Sequence, residues 1–462
     1  MADEHADVVV IGGGVAGLCA ALSAAEQESS SRRVVLLEKA PPQEAGGNTR
    51  WTDAYFRLED VYEPADGFVE DMLEFSRGKT DRRYVERLVE ALPEAMEWVQ
   101  GHGVRFHRRA TYFVTASRPR MMPVGGGEAL VRQLTESCEK HQVEIRCSSP
   151  VTDLQRDGEG FTLTVGEGRD ATTIATRACI VACGGFEGDS QRLGRHLGEA
   201  AATMKPIAPG GRFNTGEVLE MVRGLGGAWS GEWSGFHGEP VDARSTQAEA
   251  SVMVFPYGIL VDRDARRFTD EGAGTVDESY EDLARAILAL PGSSANLVGD
   301  ATFLAVPGIE RGLLTDRRPI QADTLDELAE ALGLDASALR STVEEYNAAV
   351  VDGDFDPARP DGCHTEGIVP PKSNWATRIE RPPYVGIPLI TDIVFTYGGL
   401  ATDARARVID DSGAPLPGLY AAGECTGIYH HKYPGATSVM RGLVFGRLAG
   451  IQALRDLAPS DG

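Results

Sequence analysis

None of the seven cysteines falls in a Cys-x-x-Cys pair, so zinc-ribbon and iron–sulfur spacings are missing and no metal site is expected. No Cys-x-x-Cys-His is present to attach a c-type haem. The cysteines, at 19, 138, 147, 179, 183, 363 and 425, suggest no disulfide framework, which favours a reducing compartment. Cys179 and Cys183 read as residues facing a buried strand rather than as a redox pair. Positive charge is also short: 45 Lys and Arg against 69 Asp and Glu leave a net charge of −24. That field repels phosphates and opposes nucleic-acid or anionic-membrane partners, although a local arginine pocket can still hold an anion. The apolar run Val8–Ile11 is far too short to span a bilayer. Met1-Ala2-Asp3-Glu4-His5 lacks the basic n-region of a signal peptide. The expectation is a cytoplasmic protein with no direct membrane insertion. Repeats and low-complexity tracts are absent as well.

What is present is an ordinary globular composition, 42% hydrophobic, with 54 glycines in 462 residues, enough for two or three domains. Val8–Ile11 reads as a buried parallel strand, and Gly12-x-Gly14-x-x-Gly17 follows it at once. A helix of small residues, Leu18 to Ala25, leads to a second strand, Arg33–Leu37, which ends on Glu38. This is a βαβ unit in which glycines let the backbone approach a pyrophosphate and the helix N-terminus stabilises its charge. Glu38 can accept hydrogen bonds from a ribose diol. The loop Gly46-Gly47-Asn48-Thr49 suits a flavin or its phosphates, and Leu419–Glu424 suits a strand closing over a ribityl chain. Arg223-Gly224-Leu225-Gly226-Gly227 follows a helical pattern rather than a strand, so a separate NAD(P)H site is not expected. Together these point to FAD and to hydride chemistry. Asp81 to Gly101 reads as an amphipathic helix, and Thr324–Leu332 and Ser337–Val351 as two more. Strand-and-glycine texture gives way near 225 and returns after 365. The expected fold class is α/β: a Rossmann-like FAD-binding domain at 1–225 and 366–462, with an inserted α+β capping domain at 226–365.

These segments together resemble the flavoprotein family of fumarate reductase and succinate dehydrogenase, with the tricarballylate and 3-ketosteroid dehydrogenases as the most similar branches. The resemblance rests on Gly12–Gly17, Glu38-Lys39, Gly46–Thr49, Ile180–Phe186, Arg267-Phe268-Thr269-Asp270-Glu271, Thr396-Tyr397-Gly398-Gly399, Gly423-Glu424 and the closing Val444–Arg447. Lys372-Ser373-Asn374-Trp375 and Asp270-Glu271-Gly272 are similar to the tricarballylate branch. It implies an FAD domain, a capping domain and a substrate between them. The implied cofactor contacts are Gly12, Gly14, Ala16, Gly17, Glu38, Lys39, Gly47, Asn48, Thr49, Ala182, Gly184, Gly423, Glu424, Ser438 and Val439. Asn48 stands where membrane-bound members carry the histidine that links to FAD, so the FAD is expected to be non-covalent.

The substrate positions depart from the dicarboxylate pattern. Phe395 replaces a histidine, Thr275 stands where a catalytic arginine is counted, and Tyr433 stands where a substrate-binding arginine is counted. Without those arginines the charge-assisted bonds that grip two carboxylates are lost. Tyr433 followed by Pro434-Gly435 resembles the ketosteroid dehydrogenase arrangement, in which a phenol and a glycine amide polarise a ketone. Tyr280, Tyr397, His430 and His431 are candidate bases, relays or pocket walls. Arg118, Arg120 and Arg441 are candidate carboxylate anchors. Each has a plainer reading as a packing, surface or salt-bridging residue. The expected activity is an FAD-dependent α,β-dehydrogenase acting beside the carbonyl of a cyclic ketone or keto acid. The alternatives are a polycarboxylate dehydrogenase or C=C reductase, and, more remotely, a flavin electron carrier. The expected partners are a small carbonyl or carboxylate substrate and an electron acceptor that the sequence does not identify.

Overall fold

The computed structural model describes residues 2–26, 32–108 and 120–457; Arg118 lies outside them. Strand β1 (Glu4–Ile11) is buried from Val8 onward, on both faces, as the centre of a parallel sheet requires. It lies between β2 (Val34–Leu37) and Thr172–Val181, with Val8 opposite Val34 on one side and Ala178 on the other. Glu144–Arg146 extends the sheet in parallel beyond β2, and Pro415–Ala421 does so beyond Thr172–Val181. Arg407–Ile409 closes that edge antiparallel, and Val151–Asp157 and Gly160–Val165 attach as an antiparallel pair. The expected α/β fold with a parallel sheet is what the chain adopts.

Helix α1 (Val15–Ala25) has no polar face, and every residue from Val15 to Ala24 is buried. Its small side chains allow the closing helix, Ser438–Leu457, to lie against it backbone to backbone. A Cβ on Gly446 would overlap the Ala16 carbonyl oxygen, and one on Gly450 would overlap that of Ala20. Glycines four apart on one helix face thus join the two ends of the chain in one layer. The Ser23 hydroxyl, which donates to Cys19 O at 2.7 Å, also lies 3.1 Å from Arg447 O across the contact.

The described residues form two compact units, the first drawn from 2–237 and 394–457 and the second from 238–393. The chain leaves the first unit within the strand Phe236–Asp242 and returns within Tyr384–Thr396. The crossings come later in the chain than the composition changes near 225 and 365, because composition follows loops and both crossings occur inside continuous strands. Helix Arg82–Gly101 opens at Asp81, whose carboxylate accepts from Arg83 N at 2.9 Å. In the second unit the sheet is antiparallel: Ser294–Gly299 pairs with Tyr384–Thr396 and with Ile259–Val261. Leu325–Leu332 is capped by Thr324 and Glu327 in a capping box. No helix among the described residues is long and apolar enough to cross a membrane.

A buried ionic knot organises the second unit. Glu271 accepts from Arg267 Nη2 at 2.6 Å, Arg267 Nε at 3.1 Å and Leu260 N at 2.8 Å. Lys372, fully buried, stands 3.8 Å from the same carboxylate and donates to Pro256 O and Gly258 O at 2.6 and 2.8 Å. Asn374 Nδ2 donates to Gly272 O at 2.8 Å, and Trp375, 0% exposed, donates to Asp356 O at 2.9 Å. The Asp270–Gly272 and Lys372–Trp375 stretches are therefore a structural clasp here. Removing one partner leaves buried cations uncompensated. Glu271→Ala should lower unfolding stability by about 3–5 kcal/mol, read from the denaturant midpoint; an unchanged midpoint would show the knot to be energetically idle.

Candidate active site

The glycine turn after β1 is shaped by what its neighbours leave room for. A Cβ on Gly17 would overlap the Gly12 carbonyl oxygen, and Gly12 itself has φ +108°. A Cβ on Gly14 would make only ordinary contacts, with Thr49 Oγ1 at 3.8 Å and Gly46 O at 3.9 Å. Thr49 Oγ1 accepts from Val15 N at 3.3 Å, so the loop at 46–49 sits at the N-terminus of α1. Glu38, 6% exposed, accepts from Gly13 N and Ala40 N, one on each oxygen, both at 2.7 Å. Burial lifts its carboxyl above the ordinary range against the pull of those N–H groups. Each oxygen keeps a lone pair for a diol. Lys39 pairs with Glu217 at 2.7 Å. Ala182 N bonds Ile11 O at 2.8 Å, and Gly184 adopts φ +74°.

On the other side of the cradle lie Gly423 and Glu424. Gly423 has φ +81°, and its carbonyl accepts from Arg441 Nη1 at 2.9 Å. The same guanidinium nitrogen donates to Thr426 O at 3.2 Å and Thr426 Oγ1 at 2.7 Å, and the group lies over the Tyr429 ring at 4.7 Å. Arg441, 1% exposed, is thereby committed to holding the chain around Gly423–Thr426.

Tyr433 is half-buried in a group of aromatic rings. Its centroid lies 4.6 Å from His237, 5.0 Å from Phe395 and 5.2 Å from Tyr429. Phe395 also meets Tyr397 at 5.9 Å and His237 at 5.0 Å. The Tyr433 hydroxyl sits at the N-terminus of the closing helix. It accepts from Thr437 N at 3.0 Å and Ser438 N at 3.1 Å, and donates to Ser438 Oγ at 3.0 Å. Its loop is pinned by Arg57, whose guanidinium donates to Pro434 O and pairs with Asp71, and whose amide bonds Ala436 O at 2.9 Å. Gly435 has φ +65°, with Arg120 Nη2 the nearest atom to a Cβ there at 3.8 Å. His431 adopts φ +59°, and Glu232 accepts from its amide at 2.6 Å. Burial pulls His430 below its ordinary range.

The structure therefore brings Tyr433, Phe395, Tyr397, Gly435 and Ser438 together. Val439 is buried just inside the closing helix. Thr275 and Tyr280 belong to the second unit. Thr275 caps helix Val276–Ala289 in a capping box with Glu278, and Tyr280 is partly buried on that helix. Sequence reasoning missed His237, Tyr429, Arg57 and Glu187. A buried histidine within the strand Phe236–Asp242 carries no motif. The one available signal was a lone acid, Glu187, directly after Gly184-Gly185-Phe186.

Comparison with known proteins decides the cofactor. A family model described as FAD binding domain matches residues 7–439. The chain belongs to this FAD-binding flavoprotein family. It is 29% identical over 360 residues to 4-oxocyclohexanecarboxylate 2-dehydrogenase of Sinomonas cyclohexanicum, covering 71% of this chain and 60% of that protein. It is 28% identical over 361 residues to 3-oxosteroid 1-dehydrogenase of Mycobacterium tuberculosis (strain H37Rv), covering 71% and 63%. The chain thus spans less than two thirds of the length of either. A flavocytochrome c3 fumarate reductase in its open conformation has the same fold, with TM-score 0.79 at 24% identity over 98% of this chain and 79% of that one. Membership of this family gives the chain an FAD-binding domain that takes in most of its length.

The residues present fit FAD. The glycine turn at Gly12–Gly17, the lone pairs left on Glu38 and the backbone at Gly423, all in the first unit, are the groups that would hold it. Asn48 offers no nucleophile: its Nδ2 donates to Glu187 Oε1 at 2.8 Å and to Val394 O at 3.1 Å. Precipitating the flavoprotein with acid should therefore release all its flavin into the supernatant; yellow colour retained in the washed pellet would show a covalent link.

Proposed function

We propose that this protein is an α,β-dehydrogenase that desaturates a cyclic ketone or cyclic keto acid beside its carbonyl group. The observation that carries this reading is the placement of Tyr433 at the closing helix's N-terminus, walled by His237, Phe395 and Tyr429. Two amide N–H groups hold the phenol oxygen, which polarises the O–H and leaves one hydrogen to aim. That hydrogen now meets Ser438 Oγ; an incoming ketone oxygen takes its place. Charge that builds on the ketone as the α-proton leaves is stabilised by a donor already fixed in position. Bound FAD supplies the acceptor for the β-hydride. His237 and Tyr397, on the same aromatic wall, are the groups proposed to receive or relay the proton. Flat apolar rings suit a flat apolar substrate, and Arg441 is spent on the backbone rather than offered to a carboxylate. The names of the two curated relatives, both dehydrogenases of ring ketones, support the same class.

A second reading, a polycarboxylate substrate or the reverse reduction of a C=C bond, is favoured by one feature, Arg120 beside Gly435. The same guanidinium would serve the carboxylate of a ring keto acid. An anaerobic panel separates the readings. Bleaching of the flavin band by cyclic ketones or keto acids is expected; bleaching by tricarballylate alone would replace the first reading with the second. Tyr433→Phe should keep FAD but lower turnover on the responding ketone about 10²–10³-fold, the cost of one oxyanion donor. Unchanged turnover would remove Tyr433 from the mechanism.

A further inference from the structure

Two carboxyl groups, those of Glu187 and Glu424, meet beside Gly185 in the first unit. Glu187 is 1% exposed. Its Oε1 accepts from Asn48 Nδ2 at 2.8 Å and from Asn214 Nδ2 at 2.6 Å, while its Oε2 is buried with no donor. Glu424 Oε1 accepts from Thr396 N at 3.1 Å and lies 3.4 Å from Thr396 Oγ1. Both acids border one small space: a Cβ on Gly185 would overlap Glu424 Oε1 and stand 3.0 Å from Glu187 Oε2. Two acceptor-only carboxylates in such a place repel each other, and neither satisfies the other. A single proton removes both problems.

The surroundings say which group carries it. Two amide donors on one oxygen are the pattern of a carboxylic acid's carbonyl, leaving the other oxygen as the hydroxyl. Glu424 receives a backbone N–H and feels the positive field of Arg441 from the closing helix. The donors on Glu187 are neutral amides, Asn48 and Asn214, and the charged group that bears on it is Glu424 itself. We propose that Glu187 is a positioning residue held as a neutral acid, its Oε2–H donating to Glu424 so that Glu424 is the single anion of this pair. Burial, and then the neighbouring carboxyl, push Glu187 well above the ordinary carboxylate range, and burial raises Glu424 as well.

A sign follows. A carboxyl whose pKa is raised in the folded holoprotein holds its proton to higher pH than it does in the unfolded chain. As pH rises through that value, the proton leaves to solvent, a second buried charge appears, and the cradle weakens. FAD retention, measured on the holoprotein from free-flavin fluorescence after ultrafiltration, should fall by up to about tenfold per pH unit beyond that point. Glu187→Gln keeps the shape and supplies a permanent N–H donor, so its FAD affinity should not follow that decline. Parallel loss in wild type and variant, or flat retention in wild type, would overturn the proposal. Infrared spectra of the wild-type holoprotein give a second test that does not depend on the variant folding. A protonated-carboxyl C=O band at neutral pH that bleaches at alkaline pH is expected, and its absence would overturn the assignment. The inference rests on the FAD cradle and not on the ketone reading; a protein inert to every ketone could still show the shared proton.

Discussion

The contact between α1 and the closing helix carries the rest of the site. Because Gly446 and Gly450 bring that helix onto the backbone of α1, its first turn is set beside the nucleotide turn at Gly12–Gly17. The amides at 437 and 438 then have a fixed direction, and Tyr433 answers them with its hydroxyl. Arg57 holds the intervening loop from the other side through Pro434 and Ala436. A side chain at either glycine would push the helix away, and the cradle and the aromatic pocket would part together.

Polar groups in the interior are arranged as closed sets. Arg441 Nη1 is held by Gly423 and Thr426, Glu38 by Gly13 and Ala40, and the Arg267–Glu271–Lys372 knot by backbone groups. Glu187 Oε2 is not part of such a set: it is buried without a hydrogen-bond donor. In a chain with net charge −24, two acids buried side by side is an arrangement the global electrostatics oppose, and local donors must hold it.

Local chemistry made much of the first unit legible in the sequence. An unbroken apolar strand, three spaced glycines and a small-residue helix have few alternative folds, and the βαβ unit and its FAD followed. Helices at 82–101 and 325–332 were readable from their sequence pattern. The domain crossings were not, because they fall within strands whose composition does not change. Residues identified by counting from motifs fared unevenly. Tyr433, Phe395 and Tyr397 converge, whereas Thr275 is occupied as a helix cap. Counting locates a position in a family pattern but says nothing about which hydrogen bonds a side chain has already made.

The sequence alone determined the class of fold and the dinucleotide turn, since each is a property of contiguous residues. Only the tertiary structure decided that His237 would stand against that phenol, that Arg441 would be spent on backbone carbonyls, and that Glu187 would face Glu424 across more than two hundred positions of chain. Those pairings depend on the register of distant strands and helices, which no local pattern encodes.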